Sequence, residues 1–175
     1  CKFITETMGV NTIQNNDPTE ALKSAGPYNV IALWHVIEHL PDPWKTLRTL
    51  SHRLQPGGIV ILAAPNPNAF QFRVLGRFWP HVDAPRHLSL IPLTLLIKEM
   101  TAFGLKHLWS TTKDQGTLGW NAFGWVHFFN NITDHRYIRR GLDIAGKLAS
   151  ILFGPLERLD SLGSAYTVVF KKERQ

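Results

Sequence analysis

Two nearly continuous apolar runs, at residues 28–34 and 59–64, are the clearest pattern in the first third of the chain. Neither run alternates with polar residues, which is typical of strands buried on both faces of a parallel sheet. Between them, Asp42 followed by Pro favours a helix start, leucines recur at helical spacing, and residues 56–58 (Pro-Gly-Gly) predict the helix end. The pattern therefore predicts a strand–helix–strand unit with a right-handed crossover.

The remaining pattern extends this unit into a larger α/β sheet. Before the unit, it predicts the end of a helix within residues 1–13, a short strand at 11–14 and a turn at 15–20 into a short helix. After the unit, it predicts an aromatic-rich and Arg-rich loop at 65–91, a helix ending at Gly104 and a strand at 105–112. Two helices within 113–163 and a last strand at 165–172 complete the chain. We expect an open, mostly parallel Rossmann-like sheet, with helices on both faces and a helical insertion before the last strand.

The composition is that of one globular domain. The chain has 175 residues, 44% of them hydrophobic and 18% charged, which excludes a disordered tail or a fibre. Its one cysteine, Cys1, excludes an internal disulfide and favours a reducing, cytoplasmic location. No apolar run is long enough to span a bilayer, and the first residues lack the pattern of a signal peptide. Because the chain starts at Cys1 rather than Met, we expect it to be cut from a longer protein.

The net charge of +6 raises the question of an anionic partner. Positive residues are dispersed, with modest clusters only at 136–140 and 171–174, and no nucleic-acid-binding motif is present. We therefore expect a solvated basic surface and no nucleic-acid partner.

The segment His35-Val-Ile-Glu38-His39 carries the most chemistry in the chain. It fits the H-x-x-E-H pattern of one class of zinc peptidase, but Pro41 and Pro43 prevent the long active-site helix that such a site needs. Two interpretations remain: the histidines cap and pack a strand-to-helix corner, or they form a binding site beyond the end of the strand, where ligands of open parallel sheets bind.

Several segments in a fixed order resemble class I S-adenosylmethionine-dependent methyltransferases, and are most similar to the branch that includes quinone-biosynthesis O-methyltransferases. These segments are residues 28–31, 35–43, 54–58 and 65–66, while 83–88 and 119–131 are similar to further elements of a bacterial subgroup. The resemblance implies methyl transfer from S-adenosylmethionine to a small-molecule acceptor, with oxygen as the expected acceptor atom and no metal. A non-catalytic module that keeps the fold and binds a partner or membrane surface is the alternative.

The resemblance also implies a partial domain. The family's glycine-rich loop and its ribose-binding acidic residue belong to a part that precedes this chain, which would start in the helix before the third strand of the family's sheet. We expect a single partial methyltransferase domain over 1–175, with a core at 1–112, a helical cover at 113–163 and the last strand at 164–175. This chain alone should bind the donor poorly and be inactive, whereas the intact protein should bind it.

Residues that would contact the donor follow from the same resemblance. Asn16 or Asp17 matches the position that reads the adenine amino group, although an Asx turn without a ligand explains them equally well. Leu33, Trp34 and His35 match the strand end that lies along the donor. The Trp34 ring would cover the adenine or the sulfonium cation, with ordinary core packing as its alternative.

Candidate residues for the acceptor lie in two loops. An oxygen acceptor benefits from a base, and His35 and His87 are the candidates. Glu38, Asn66, Arg86 and His87 would bind the substrate. For Arg86 and His87, a salt bridge or hydrogen bond within the loop is the alternative.

Two surfaces remain for partners. Apolar stripes at 120–163 lie near basic residues. They predict a cover over the acceptor pocket, a peripheral contact at the inner membrane or a site for a lipid-like acceptor, or a dimer contact. If the neighbouring strand of the family is absent, residues 30–34 form an unpaired apolar edge. We therefore expect this chain on its own to be a homodimer or oligomer joined near this edge, or else to be poorly soluble.

Overall fold

The computed structural model describes residues 2–174, which form seven α-helices around one four-stranded sheet. The elements in chain order are α1 (Lys2–Met8), α2 (Pro18–Ser24), β1 (Tyr28–Trp34), α3 (Pro43–Arg53), β2 (Leu54–Pro65), α4 (Phe70–Leu75), α5 (Leu93–Ala102), β3 (Leu105–Thr111), α6 (Gln115–Asn130), α7 (Arg136–Glu157) and β4 (Ala165–Lys172). Single turns of 3₁₀ helix cover Ile37–His39, Gly76–Phe78 and Pro80–Val82. From α2 onward the predicted helices and strands occur in the predicted order, but residues 65–91, predicted as a loop, also contain α4 and two of the 3₁₀ turns.

The sheet is open and mixed, with strand order β1-β2-β4-β3. β1 pairs with β2 in parallel, and β4 pairs antiparallel with both β2 and β3, so three of the four strands run in one direction. The predicted strand–helix–strand unit is β1–α3–β2. Because β1 and β2 are parallel neighbours, their carboxyl ends meet at the same edge of the sheet.

Two apolar clusters hold the elements together. The main cluster packs α3 and α5 against the sheet, and it includes Leu50, Met100 and Phe170, all fully buried. The second lies between α4, α6 and α7, where Trp79 and Trp125 are buried. The first cluster fixes the position of β1, and the second fixes the loop that follows β2.

Three local expectations are wrong. Residues 11–14 form no strand and are largely exposed, because a strand needs a paired neighbour and none of the described residues pairs with them. β1 is buried on one face only: Ile31 is buried, but Val30 is 55% exposed, because the described residues leave the face that carries Val30 uncovered. Residues 56–58 do not end α3, which ends at Arg53; they lie in β2, where Gly57 takes a φ of +83° next to a shift in strand register.

The two helices predicted before the last strand pack closely against each other. A methyl group on Gly146 of α7 would lie 2.7 Å from Cα of Val126 in α6, so only glycine fits this contact. One apolar stripe of α7 stays largely exposed, at Ile144, Leu148, Ile151 and Leu152. No helix within residues 2–174 has both the length and the hydropathy to cross a bilayer.

Candidate active site

A cavity of about 380 Å³ opens beyond the carboxyl end of β1. Its wall combines the turn after β1, the loop after β2 and one face of α6. It is lined by His35, Glu38, His39, Pro80, His81, Asp83, Arg86, His87, Trp120, Phe123 and His127. The structure thus brings together four of the sequence-predicted residues, namely His35, Glu38, Arg86 and His87.

His35 is held in one orientation by the turn that follows β1. Its backbone takes a φ of +52°, and its N–H donates to the carbonyl of Ala63 at 2.9 Å. The 3₁₀ turn then brings Glu38 back under the imidazole, with Nδ1 of His35 3.1 Å from Oε1 of Glu38. Glu38 is 1% exposed. Because a carboxylate only accepts hydrogen bonds, Nδ1 carries the proton and Nε2 is left with a lone pair.

The loop that carries Arg86 and His87 is tied to the same turn. The N–H of Leu88 donates to the carbonyl of Glu38 at 2.7 Å, and Nδ1 of His39 lies 2.9 Å from the carbonyl oxygen of Arg86. The Arg86 guanidinium is 2.9 Å from the Asp83 carboxylate, with its side chain 73% exposed. The loop salt bridge proposed as an alternative for Arg86 is therefore present, and it leaves the guanidinium at the cavity rim.

His81 is a site residue that the sequence did not indicate. Its buried ring lies between those of His35 and His87, at 6.4 Å from each and nearly parallel to both. Burial lowers the pKa of His81 to about 3, and repulsion from His35 and His87 acts in the same direction. His81 therefore remains neutral near pH 7 and separates the two histidines proposed as bases.

The predicted donor-binding residues fall into two places. Trp34, at the end of β1, is 53% exposed, while Leu33 packs against the main apolar cluster. Asn16 and Asp17 instead line a separate cavity of about 300 Å³ beside α2 and α3. Asp17 caps α2, with Oδ1 accepting from the N–H of Thr19 at 2.8 Å, and this hydrogen bond lowers the pKa of Asp17. Trp34 and His35 therefore lie side by side at the end of β1, whereas Asn16 and Asp17 lie at a different cavity.

Asn66 lies outside the histidine-lined cavity. It is 2% exposed, and its amide donates to the carbonyls of Ser161 and Gly163, each at 2.8 Å. Its Oδ1 accepts from the N–H of Asn68 at 3.0 Å. These bonds occupy both amide hydrogens and hold the end of β2 to the turn before β4. The role of Asn66 that this geometry indicates is therefore structural.

A sequence model of one family, described as a methyltransferase domain, matches residues 5–110. The chain belongs to this methyltransferase domain family. It is 34% identical over 85 residues to the ubiquinone biosynthesis O-methyltransferase of Escherichia coli O9:H4 (strain HS), a match that covers 47% of this chain and 32% of that protein. The match thus spans about a third of the length of this relative.

Solved structures show the same fold. A protein from Galdieria sulphuraria described as a sarcosine dimethylglycine methyltransferase superposes with a TM-score of 0.62 at 13% identity, covering 98% of this chain and 64% of that one. A SAM-dependent methyltransferase from Archaeoglobus fulgidus gives a TM-score of 0.53 at 16% identity, covering 98% and 72%. At these identities the likeness concerns the fold alone. The chain has the Rossmann-like fold of class I methyltransferases, as its sequence motifs indicate.

Proposed function

We propose that the protein transfers a methyl group from S-adenosylmethionine to an oxygen atom of a small molecule held in the histidine-lined cavity. The proposal rests on the position and orientation of His35. It follows the end of β1, is oriented by the buried Glu38, and presents a lone pair on Nε2. Membership of the methyltransferase family supports the reaction class. The non-catalytic alternative has no comparable support in the site.

Trp34 and His35 fit one end of such a donor. S-adenosylmethionine supplies an electrophilic methyl group on a sulfonium cation. The half-exposed ring of Trp34 offers an aromatic face, which attracts a cation. Asn16 and Asp17 remain candidates for the adenine end, from their own cavity beside α2.

His35 would act as the base for a hydroxyl acceptor. The acceptor oxygen forms a bond to the methyl carbon, the sulfur keeps the electron pair of the broken bond, and Nε2 of His35 takes the hydroxyl proton. Glu38 contributes through His35, because its Oε1 fixes the ring and stabilises the imidazolium that forms. Glu38 is therefore a positioning residue rather than the substrate ligand that the resemblance suggests.

The rest of the cavity suits an acceptor with an aromatic ring and an anionic or carbonyl oxygen. Trp120 and Phe123 of α6 form an apolar wall, and Arg86 lies at the rim with exposed donors. Because α6 supplies this wall, we interpret residues 113–163 as a cover over the acceptor site of a core at 1–112, with 164–175 as the last strand. We further propose a cytoplasmic location.

Transfer of a labelled methyl group tests the proposed function. The full-length protein that contains this chain is incubated with methyl-labelled S-adenosylmethionine and a panel of phenols, catechols, carboxylic acids and amines. We expect S-adenosylhomocysteine and a labelled ether or ester to form in equal amounts with at least one oxygen acceptor. Transfer to amines alone, or no transfer with donor bound, would contradict the proposal.

We also propose that the exposed edge of β1 joins two copies of the chain. Val30 and Trp34 are both more than half exposed on this edge strand, and unpaired strand edges associate readily. Sedimentation velocity of the chain over residues 1–175 alone should show a dimer or larger oligomer that Val30→Lys converts to monomer, because a charge at an edge blocks pairing. Val74→Lys places the same charge at a similarly exposed site on α4 and should change nothing. If the chain without these substitutions is a monomer, the proposal is contradicted.

A further inference from the structure

Glu38, His39 and His87 meet between the turn after β1 and the loop that follows β2. Each offers one atom able to bind a metal ion, and these three atoms lie within 4.8 Å of one another. Two of the residues are adjacent in sequence, and the third arrives from 48 positions away, so the cluster is a product of the fold.

Both imidazoles are already oriented for coordination. Nδ1 of His39 lies 2.9 Å from the carbonyl oxygen of Arg86, and Nδ1 of His87 lies 2.7 Å from the carbonyl oxygen of His81. A carbonyl oxygen only accepts, so each Nδ1 carries its proton and each Nε2 keeps a lone pair. Metal-bound histidines usually donate their other ring N–H to a carbonyl or carboxylate in this way.

Glu38 supplies an independent observation that points to a ligand. Its Oε1 is held by His35, but its Oε2 is buried and has no hydrogen-bond partner among the described residues. The residue is 1% exposed. A buried carboxylate oxygen without a partner is costly, and a cation bound at Oε2 would remove that cost.

We propose that Oε2 of Glu38 and Nε2 of both His39 and His87 bind a divalent transition-metal ion of the zinc or iron(II) type. Two imidazoles and one carboxylate form a ligand set typical of these ions. Ligands at about 2.1 Å from one ion lie at most about 4.2 Å apart, so binding draws the three ligand atoms slightly closer together.

This site differs from the peptidase pattern considered for the sequence. A peptidase would use His35 and His39 from one helix, whereas residues 35–36 form a bend after β1 and residues 37–39 form a single 3₁₀ turn. Here His35 is the partner of Glu38, and the third ligand is His87. Three protein ligands leave further coordination positions on the ion open. Because the cluster lines the histidine-lined cavity, an oxygen of a molecule bound there can reach these positions.

Metal binding can be measured without any methyl-transfer assay, so its outcome is separate from that of the proposed function. The purified protein is stripped with a chelator and titrated with Zn²⁺ by calorimetry. Co²⁺ is added in parallel, because its visible absorption reports coordination. We expect one ion per chain and new Co²⁺ bands.

Three variants locate the site. His39→Asn and His87→Asn each keep a donor near the Nδ1 position but lose Nε2, and Glu38→Gln removes the charge. Each should weaken Zn²⁺ binding at least tenfold and abolish the Co²⁺ bands. His127→Asn is the matched control, because His127 lines the same cavity but lies outside the cluster, and it should bind as the parent does.

Two results would overturn the proposal: no saturable binding of either ion by the parent protein, or binding that the His39 and His87 variants leave unchanged. Circular dichroism of the metal-free proteins identifies any variant that fails to fold. If Glu38→Gln unfolds, the two histidine variants decide the outcome, since both side chains are at least partly exposed.

Discussion

Replacing His35 with Asn is expected to lower turnover of the full-length protein about 10²–10⁴-fold while changing donor affinity by only a few-fold. Asn keeps a donor near the position of Nδ1, so the hydrogen bond to Glu38 is retained. It lacks Nε2, so it cannot take the acceptor proton. Steady-state kinetics with the acceptor found in the transfer assay, together with calorimetric titration of S-adenosylhomocysteine, separate the two effects.

His52→Asn is the control, because it removes an exposed imidazole of α3 that lies outside the cavity. Its turnover should remain within a few-fold of the parent. A His35→Asn protein with parental turnover would show that His35 is only a corner residue of β1. The two interpretations of this histidine left open by the sequence would then be decided for packing.

Asn66→Ala is expected to lower the free energy of unfolding by roughly 2–4 kcal/mol, because it removes hydrogen bonds from two carbonyls near the turn before β4. Chemical denaturation, monitored by tryptophan fluorescence, measures this change. Asn68→Ala is the matched control: Asn68 is exposed, and only its backbone N–H takes part in the clamp. It should stay within about 0.5 kcal/mol of the parent.

The same variant decides between the two tasks assigned to Asn66. The resemblance suggests substrate binding, whereas the structure shows a buried amide engaged with backbone. If Asn66→Ala raised KM strongly with its free energy of unfolding unchanged, the substrate-binding assignment would be correct. A loss of stability with KM unchanged at low temperature is the result expected from the hydrogen bonds.

The sequence predicts elements whose cause is local. α3 begins after Asp42, whose carboxylate accepts from the N–H of Lys45 at 2.9 Å, and the strand at Ala165–Lys172 has the predicted bounds. The strand predicted at residues 11–14, which the structure does not contain, does not have a local cause. Its formation depends on a neighbour to pair with, which no local pattern contains.

The site shows the same division between local and distant causes. The place of His35 and Glu38 beyond β1 follows from the motif and its position after an apolar strand. Their mutual hydrogen bond depends on the positive φ of His35, and the meeting of His39 with His87 depends on the path of a loop 48 residues away. His81 was missed because nothing in its sequence surroundings separates it from the other aromatic loop residues.

A crystal structure of the full-length protein with S-adenosylhomocysteine tests the central claim most directly. The account predicts that the sulfur lies beside Trp34 and faces the cavity, with Nε2 of His35 directed at the space where an acceptor oxygen would sit. Donor bound with its sulfur remote from this cavity, or with His35 turned away from Glu38, would contradict it.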